Sequence, residues 1–140
     1  MTNDYMFRLI LEKNNYVLKG LICSLLSLTP EKITSVEIQN PILLNETVKD
    51  KEFILDIKVL MNDSAIINLE MQMAYMLNWR ERSLSYLCRA FDQLSHGQLY
   101  DNVKPAIHIG FLNFNPTPDD KPEFYASYKL LNEKTHAAYS

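Results

Sequence analysis

From Phe53 to Met73, hydrophobic and polar positions alternate with a period of two in two runs, separated by Asn62-Asp63-Ser64. Phe53, Leu55, Ile57 and Val59 share one face of the first run, and Ile54, Asp56, Lys58 and Leu60 share the other. In the second run Ala65, Ile67, Leu69, Met71 and Met73 oppose Ile66, Asn68, Glu70 and Gln72. Alternation is strand geometry and Asn-Asp-Ser is turn chemistry, so the stretch is predicted to be a β-hairpin. A loop centred on Asp63 brings the two apolar faces together and pairs Asp56 with Glu70, Lys58 with Asn68 and Ile54 with Gln72.

Helical spacing brackets this hairpin. Thr2 or Asn3 can cap a short first helix with Tyr5, Met6, Leu9 and Ile10 along one stripe, and Asn14-Asn15 interrupts it. A second helix is predicted from about Asn15 to Leu28 on Val17, Leu18, Leu21, Ile22, Leu25 and Leu26, ending before Thr29-Pro30. Ile33 to Ile38 reads as a short strand, and Leu43 to Lys51 as an irregular connector. After Met73 the period turns helical again. Asn78 is a candidate cap with Glu81 three residues on, Leu84, Leu87, Cys88, Phe91 and Leu94 form the face expected to meet the core, and Gly97 is the stop. Arg82, Tyr86, Arg89 and Gln93 line up on another stripe of that helix. Ala106 to Phe114 is apolar on both faces and reads as a strand buried between layers, with His108 as a core histidine. Asn115 to Pro122 is a loop, and Phe124 to Leu131 a further strand candidate.

Asp56 and Glu70 carry the candidate chemistry. Two carboxylates directly opposite on a hairpin have Cβ atoms roughly 5 Å apart, which is unfavourable without a positive charge between them. A divalent cation resolves the repulsion. So does Lys58 on the same face, and charged residues on the solvent face of a hairpin are ordinary.

At 140 residues, with 47% hydrophobic and 22% charged, the chain is expected to form a single globular domain. No apolar run approaches the about 20 residues that cross a bilayer, and the N-terminus lacks the pattern of a secretory leader, so a cytoplasmic protein without a membrane segment is expected. Cys23 and Cys88 lie in helical apolar stripes and read as small core residues rather than disulfide or zinc positions. His96, His108 and His136 have no ligand spacing. A net charge of −3 leaves any attraction for nucleic acid to a local patch; Lys49 and Lys51, just ahead of the hairpin, are one candidate.

In order and content the motifs resemble the PD-(D/E)XK nuclease family transposases, the recombination-promoting nucleases of the Rpn type. The likeness rests on Thr2-Asn3-Asp4-Tyr5-Met6-Phe7, Leu55-Asp56-Ile57-Lys58, Asn68-Leu69-Glu70-Met71-Gln72 and Arg82-Ser83-Leu84-Ser85-Tyr86. It continues through Gln93, Gly97, Tyr100, Lys104-Pro105 and Ile107-His108-Ile109. The fold it implies is α/β, a restriction-endonuclease-like α-β-β-β-α-β core with a mixed central sheet flanked by helices. Gln72 stands where the lysine of the superfamily's name would be, and members usually run beyond the point where this chain stops, so a domain lacking a C-terminal extension is expected.

The activity implied is Mg²⁺-dependent hydrolysis of DNA phosphodiester bonds, with Mn²⁺ as a substitute ion. Asp56, Glu70 and the Met71 carbonyl would hold the metal, and Gln72 would orient the attacking water. Lys58 would supply the missing positive charge. Arg82, Tyr86, Arg89 and Gln93 would position the DNA backbone, and a homodimer would reach both strands. The alternative is a degenerate nuclease fold that binds DNA or protein without cleaving.

Overall fold

The computed structural model describes residues 3–40, 57–92, 96–117, 119 and 121–139. Asp56, Lys49, Lys51 and Gln93 lie outside the described residues, as do Phe53 to Leu55. The described elements run α1 (Asn3–Lys13), α2 (Asn15–Leu26), β1 (Val36–Ile38), β2 (Ile57–Met61), β3 (Ala65–Gln72), α3 (Trp79–Phe91) and β4 (Ala106–Leu112). This is the α/β order expected. The four strands form one mixed sheet in the order β1-β2-β3-β4, antiparallel except for β3 with β4.

The hairpin register is the expected one: Lys58 opposes Asn68, and Ile57 opposes Leu69. The turn is built by Asn62 and Asp63, both at positive φ (53° and 52°), a conformation Asn and Asp tolerate better than most residues. Asn62 also ties the hairpin to the segment ahead of β1. Its Oδ1 accepts from Thr34 N at 2.7 Å, Thr34 Oγ1 at 3.0 Å and Ser35 N at 3.2 Å, while its Nδ2 donates to the Lys32 carbonyl at 2.8 Å.

One face of the sheet makes the core. Ile57, Val59, Ile67 and Leu69 pack with Val36, Ile33 and the inward residues of α1 and α2, Leu11, Leu18 and Ile22. Phe7 of α1 meets Phe111 of β4 edge to face at 5.3 Å. Asn14 separates the two helices and caps the second, its Oδ1 accepting from Tyr16 N and Val17 N, both at 3.1 Å. The opposite face of the sheet lies under α3, the crossover between the parallel strands. Among the described residues no helix is long and apolar enough to cross a membrane.

Three expectations are corrected. Most of the face of α3 expected to meet the core points outward: Leu84 and Phe91 are each 53% exposed and Cys88 is exposed, while Leu87 is half-buried and Leu94 lies outside the described residues, so Cys88 is not a core cysteine. The helix stops at Phe91, well before Gly97. Residues 124–131 form no strand; only Leu131 enters an isolated bridge, with Ala138, because no strand among the described residues offers a ladder for the rest.

Candidate functional site

Strand alternation sends Asn68 and Glu70 to the face opposite the core, and the parallel register sets His108 beside Asn68 and Gly110 beside Glu70. On that face α3 covers them. Glu70 is only 3% exposed, a burial that demands partners for a carboxylate. Arg82 supplies them, donating from Nε (3.1 Å) and Nη2 (2.9 Å) to Oε1. The guanidinium lies over the Tyr86 ring at 4.9 Å, and Nη2 reaches the Tyr86 hydroxyl at 3.2 Å. Burial alone would raise the Glu70 carboxyl. The neighbouring His108 and the hydrogen-bonded, charged Arg82 guanidinium outweigh it, so the carboxyl is held below its ordinary range.

The other oxygen is treated differently. Glu70 Oε2 lies 3.3 Å from His108 Nε2 without hydrogen-bond alignment. Both atoms, with Oδ1 and Nδ2 of Asn68, are buried with no hydrogen-bond partner among the described residues. Such a concentration of unpaired polar atoms is costly in an interior and typical of places that meet a ligand, ion or water. His108 Nδ1, by contrast, is tied to Ser83 Oγ at 2.7 Å, and its ring is stacked on Trp79 at 5.6 Å and on Tyr86 at 5.5 Å.

The structure therefore brings together Glu70, Arg82 and Tyr86 of the residues singled out from the sequence. Lys58 is exposed on β2 and makes no ion pair among the described residues. Gln72, at the end of β3, donates from Nε2 to the Ala74 carbonyl at 2.9 Å. Met71 follows Glu70 in the strand, and Arg89 is exposed at the far end of α3. Asp56 and Gln93 cannot be placed, since they fall outside the described residues.

Sequence reasoning passed over Trp79, Ser83, Asn68 and the active involvement of His108. The available signal was spacing: Trp79, Arg82, Ser83 and Tyr86 stand at i, i+3, i+4 and i+7, one helix face that happens to be polar and aromatic.

For a hard divalent ion the donor chemistry fits in part. Glu70 Oε2 and Asn68 Oδ1 are buried oxygens without a donor, the type of atom such ions take. No group of three or more His, Cys, Asp or Glu residues converges among the described residues, so a second carboxylate would have to come from elsewhere.

In comparison with known proteins, the family model described as PD-(D/E)XK nuclease family transposase matches residues 1–140. No curated protein and no solved structure matches.

Proposed function

Since the chain belongs to the PD-(D/E)XK nuclease family transposases, we propose that it is a Mg²⁺-dependent DNA endonuclease serving recombination or transposition. The observation that carries the reading is Glu70: a buried, ionised carboxylate at the hairpin's second strand, with one oxygen held by Arg82 and the other lacking a hydrogen bond.

In this reading Glu70, Asp56 and the Met71 carbonyl hold Mg²⁺, or Mn²⁺ in its place. When bound, the ion supplies Lewis-acid polarisation of the phosphate and a more acidic water. The remaining work falls to side chains. Arg82 keeps Glu70 charged. Gln72 spends its amide N–H on Ala74 and offers its carbonyl oxygen to the attacking water. Lys58, two positions after Asp56 in the sequence, contributes the positive charge that Gln72 cannot. Arg89, Gln93, Tyr86 and the exposed third of Arg82 position the DNA backbone, contacts that orient without reading sequence.

The test is conversion of supercoiled plasmid by the purified chain with Mg²⁺ or Mn²⁺, against a chelator control. Metal-dependent nicking abolished by Asp56→Ala and by Glu70→Gln is expected. Lys58→Met cleaving like wild type would remove Lys58 from the mechanism, and a sequence-selective loss of binding in Arg82→Ala would contradict backbone positioning.

A degenerate module that binds DNA or protein is the second reading, favoured by Gln72 at the lysine position and by the grip of Arg82 on Glu70. It predicts no cleavage and no Mg²⁺-dependent thermal stabilisation, whereas the nuclease reading predicts a stabilisation that Glu70→Gln removes.

A further inference from the structure

His108 and Ser83 take no part in the reading above, yet their geometry is aimed at Glu70. We propose that His108, tethered by Ser83, is a positioning residue that fixes the orientation of the Glu70 carboxylate; the proposal rests on the reading of Glu70 as the metal-holding acid.

The argument starts from rotational freedom. The terminal torsion of a glutamate is broad and roughly two-fold, so a partner on one oxygen leaves the carboxylate able to swing. Of the two carboxylate oxygens, Arg82 donates to Oε1. The atom facing Oε2 is His108 Nε2, 3.3 Å away, and it stands in the way of that swing. A bulky apolar side chain would block the motion equally well only if it did not strip the charged oxygen of a polar neighbour, which burial makes expensive.

His108 can act as a stop because it is itself immobile. Trp79 and Tyr86 clasp its ring from α3 with interplanar angles of 29° and 9°, and Ser83, one turn from each, holds Nδ1. Gly110 makes this clasp possible, since the Trp79 ring occupies the space a side chain there would fill. Three helix positions thus converge on one imidazole, and Gly110 leaves room for one of them. Groups that act behind a metal-holding residue in this manner typically change metal affinity tenfold to a hundredfold when removed.

The experiment uses the full chain and two readouts, thermal stabilisation as a function of Mg²⁺ and plasmid nicking at saturating Mg²⁺. His108→Phe keeps a ring in the clasp and loses both nitrogens; His108→Gln keeps a distal N–H. Fluorescence of the single tryptophan, Trp79, reports whether the clasp persists. The expected result is an Mg²⁺ requirement raised about tenfold in His108→Phe, a lower nicking rate with unchanged KM for DNA, and partial recovery in His108→Gln. Should His108→Phe fail to fold, Ser83→Ala decides, with a severalfold rise in the Mg²⁺ requirement expected. A wild-type metal requirement and rate in His108→Phe, or in Ser83→Ala in that case, while Glu70→Gln has lost both, overturns the positioning role and leaves the nuclease reading intact. A wild-type chain that neither nicks nor responds to Mg²⁺ overturns both.

Discussion

The indole of Trp79 lies against Gly110 so closely that a Cβ at position 110 would stand 2.2 Å from Cζ2 and 2.8 Å from Cη2. Neither distance is attainable, so any side chain there must displace the ring. That ring is rigid and buried, and it also stacks on His108, so displacing it opens the cluster around Glu70.

Gly110→Ala should therefore destabilise the fold by about 1 to 3 kcal/mol, the usual cost of overpacking. The helix and strand would survive, but Trp79 emission should shift toward that of a solvated indole. Urea unfolding followed by far-UV circular dichroism, with fluorescence read separately, checks both parts. A stable variant with unchanged emission would mean that the strand moves aside without cost.

At the hairpin turn, Asn62 combines positive φ with four side-chain hydrogen bonds. Asn62→Gly keeps the backbone conformation and loses the bonds. Asn62→Ala loses the bonds and adds about 1 to 2 kcal/mol for a left-handed residue with a Cβ. Partly exposed hydrogen bonds contribute about 1 kcal/mol each at most, so Asn62→Gly is expected to lose about 2 kcal/mol and Asn62→Ala more. Equal losses in denaturant titrations would show that the turn's conformation carries no strain.

The hairpin was legible because its period, turn residues and burial all demand one register, and Lys58 opposite Asn68 follows from that demand. The orientation of α3 was not. Counting apolar positions favours Leu84, Leu87, Cys88, Phe91 and Leu94 as the buried face, but the surface beneath the helix carries Glu70 and His108. A buried carboxylate is satisfied by Arg82 and an imidazole by Ser83 and two rings, never by leucine. Helix patterning assumes an apolar partner surface, and here the partner surface is polar. His108 was placed correctly as buried, yet its partners come from α3, 25 residues earlier for Ser83, a separation no local pattern reports. The exposed residues 124–131 alternate well enough for a strand and lack only a neighbour to pair with among the described residues.

Acid stability should depend on Glu70. Burial pushes its carboxyl up, but His108 and Arg82 hold it below its ordinary range, so near pH 4 the unfolded chain binds more protons at this residue than the folded chain. Stability from this source is complete above the unfolded value of about 4.3 and is lost as pH falls through the folded one. The stability difference between wild type and Glu70→Gln, measured without metal by chemical denaturation, should shrink steadily from about pH 6 to pH 3. A pH-independent difference would show that Glu70 is not ionised in the fold.

Arg82 offers the sharpest test of how the site is held. Removing its head group in Arg82→Met keeps the stem that packs near Tyr86 but strips Oε1 of both donors, leaving a buried carboxylate with only His108 nearby. Solvent reaches the arginine, whose side chain is 35% exposed, so the loss should be about 1 to 3 kcal/mol rather than the larger cost of a fully buried broken pair. Arg82→Lys retains the charge without the two-nitrogen grip and should fall between. Arg80, exposed on α3 two residues before Arg82, is the control, and Arg80→Met should change stability by less than about 0.5 kcal/mol. The decisive comparison is made in the Glu70→Gln background, where the neutral amide no longer needs a cation. There the Arg82→Met penalty should fall by at least half, a coupling that a double-mutant cycle measures directly. An undiminished penalty would assign the role of Arg82 to contacts other than Glu70, those with Tyr86 among them.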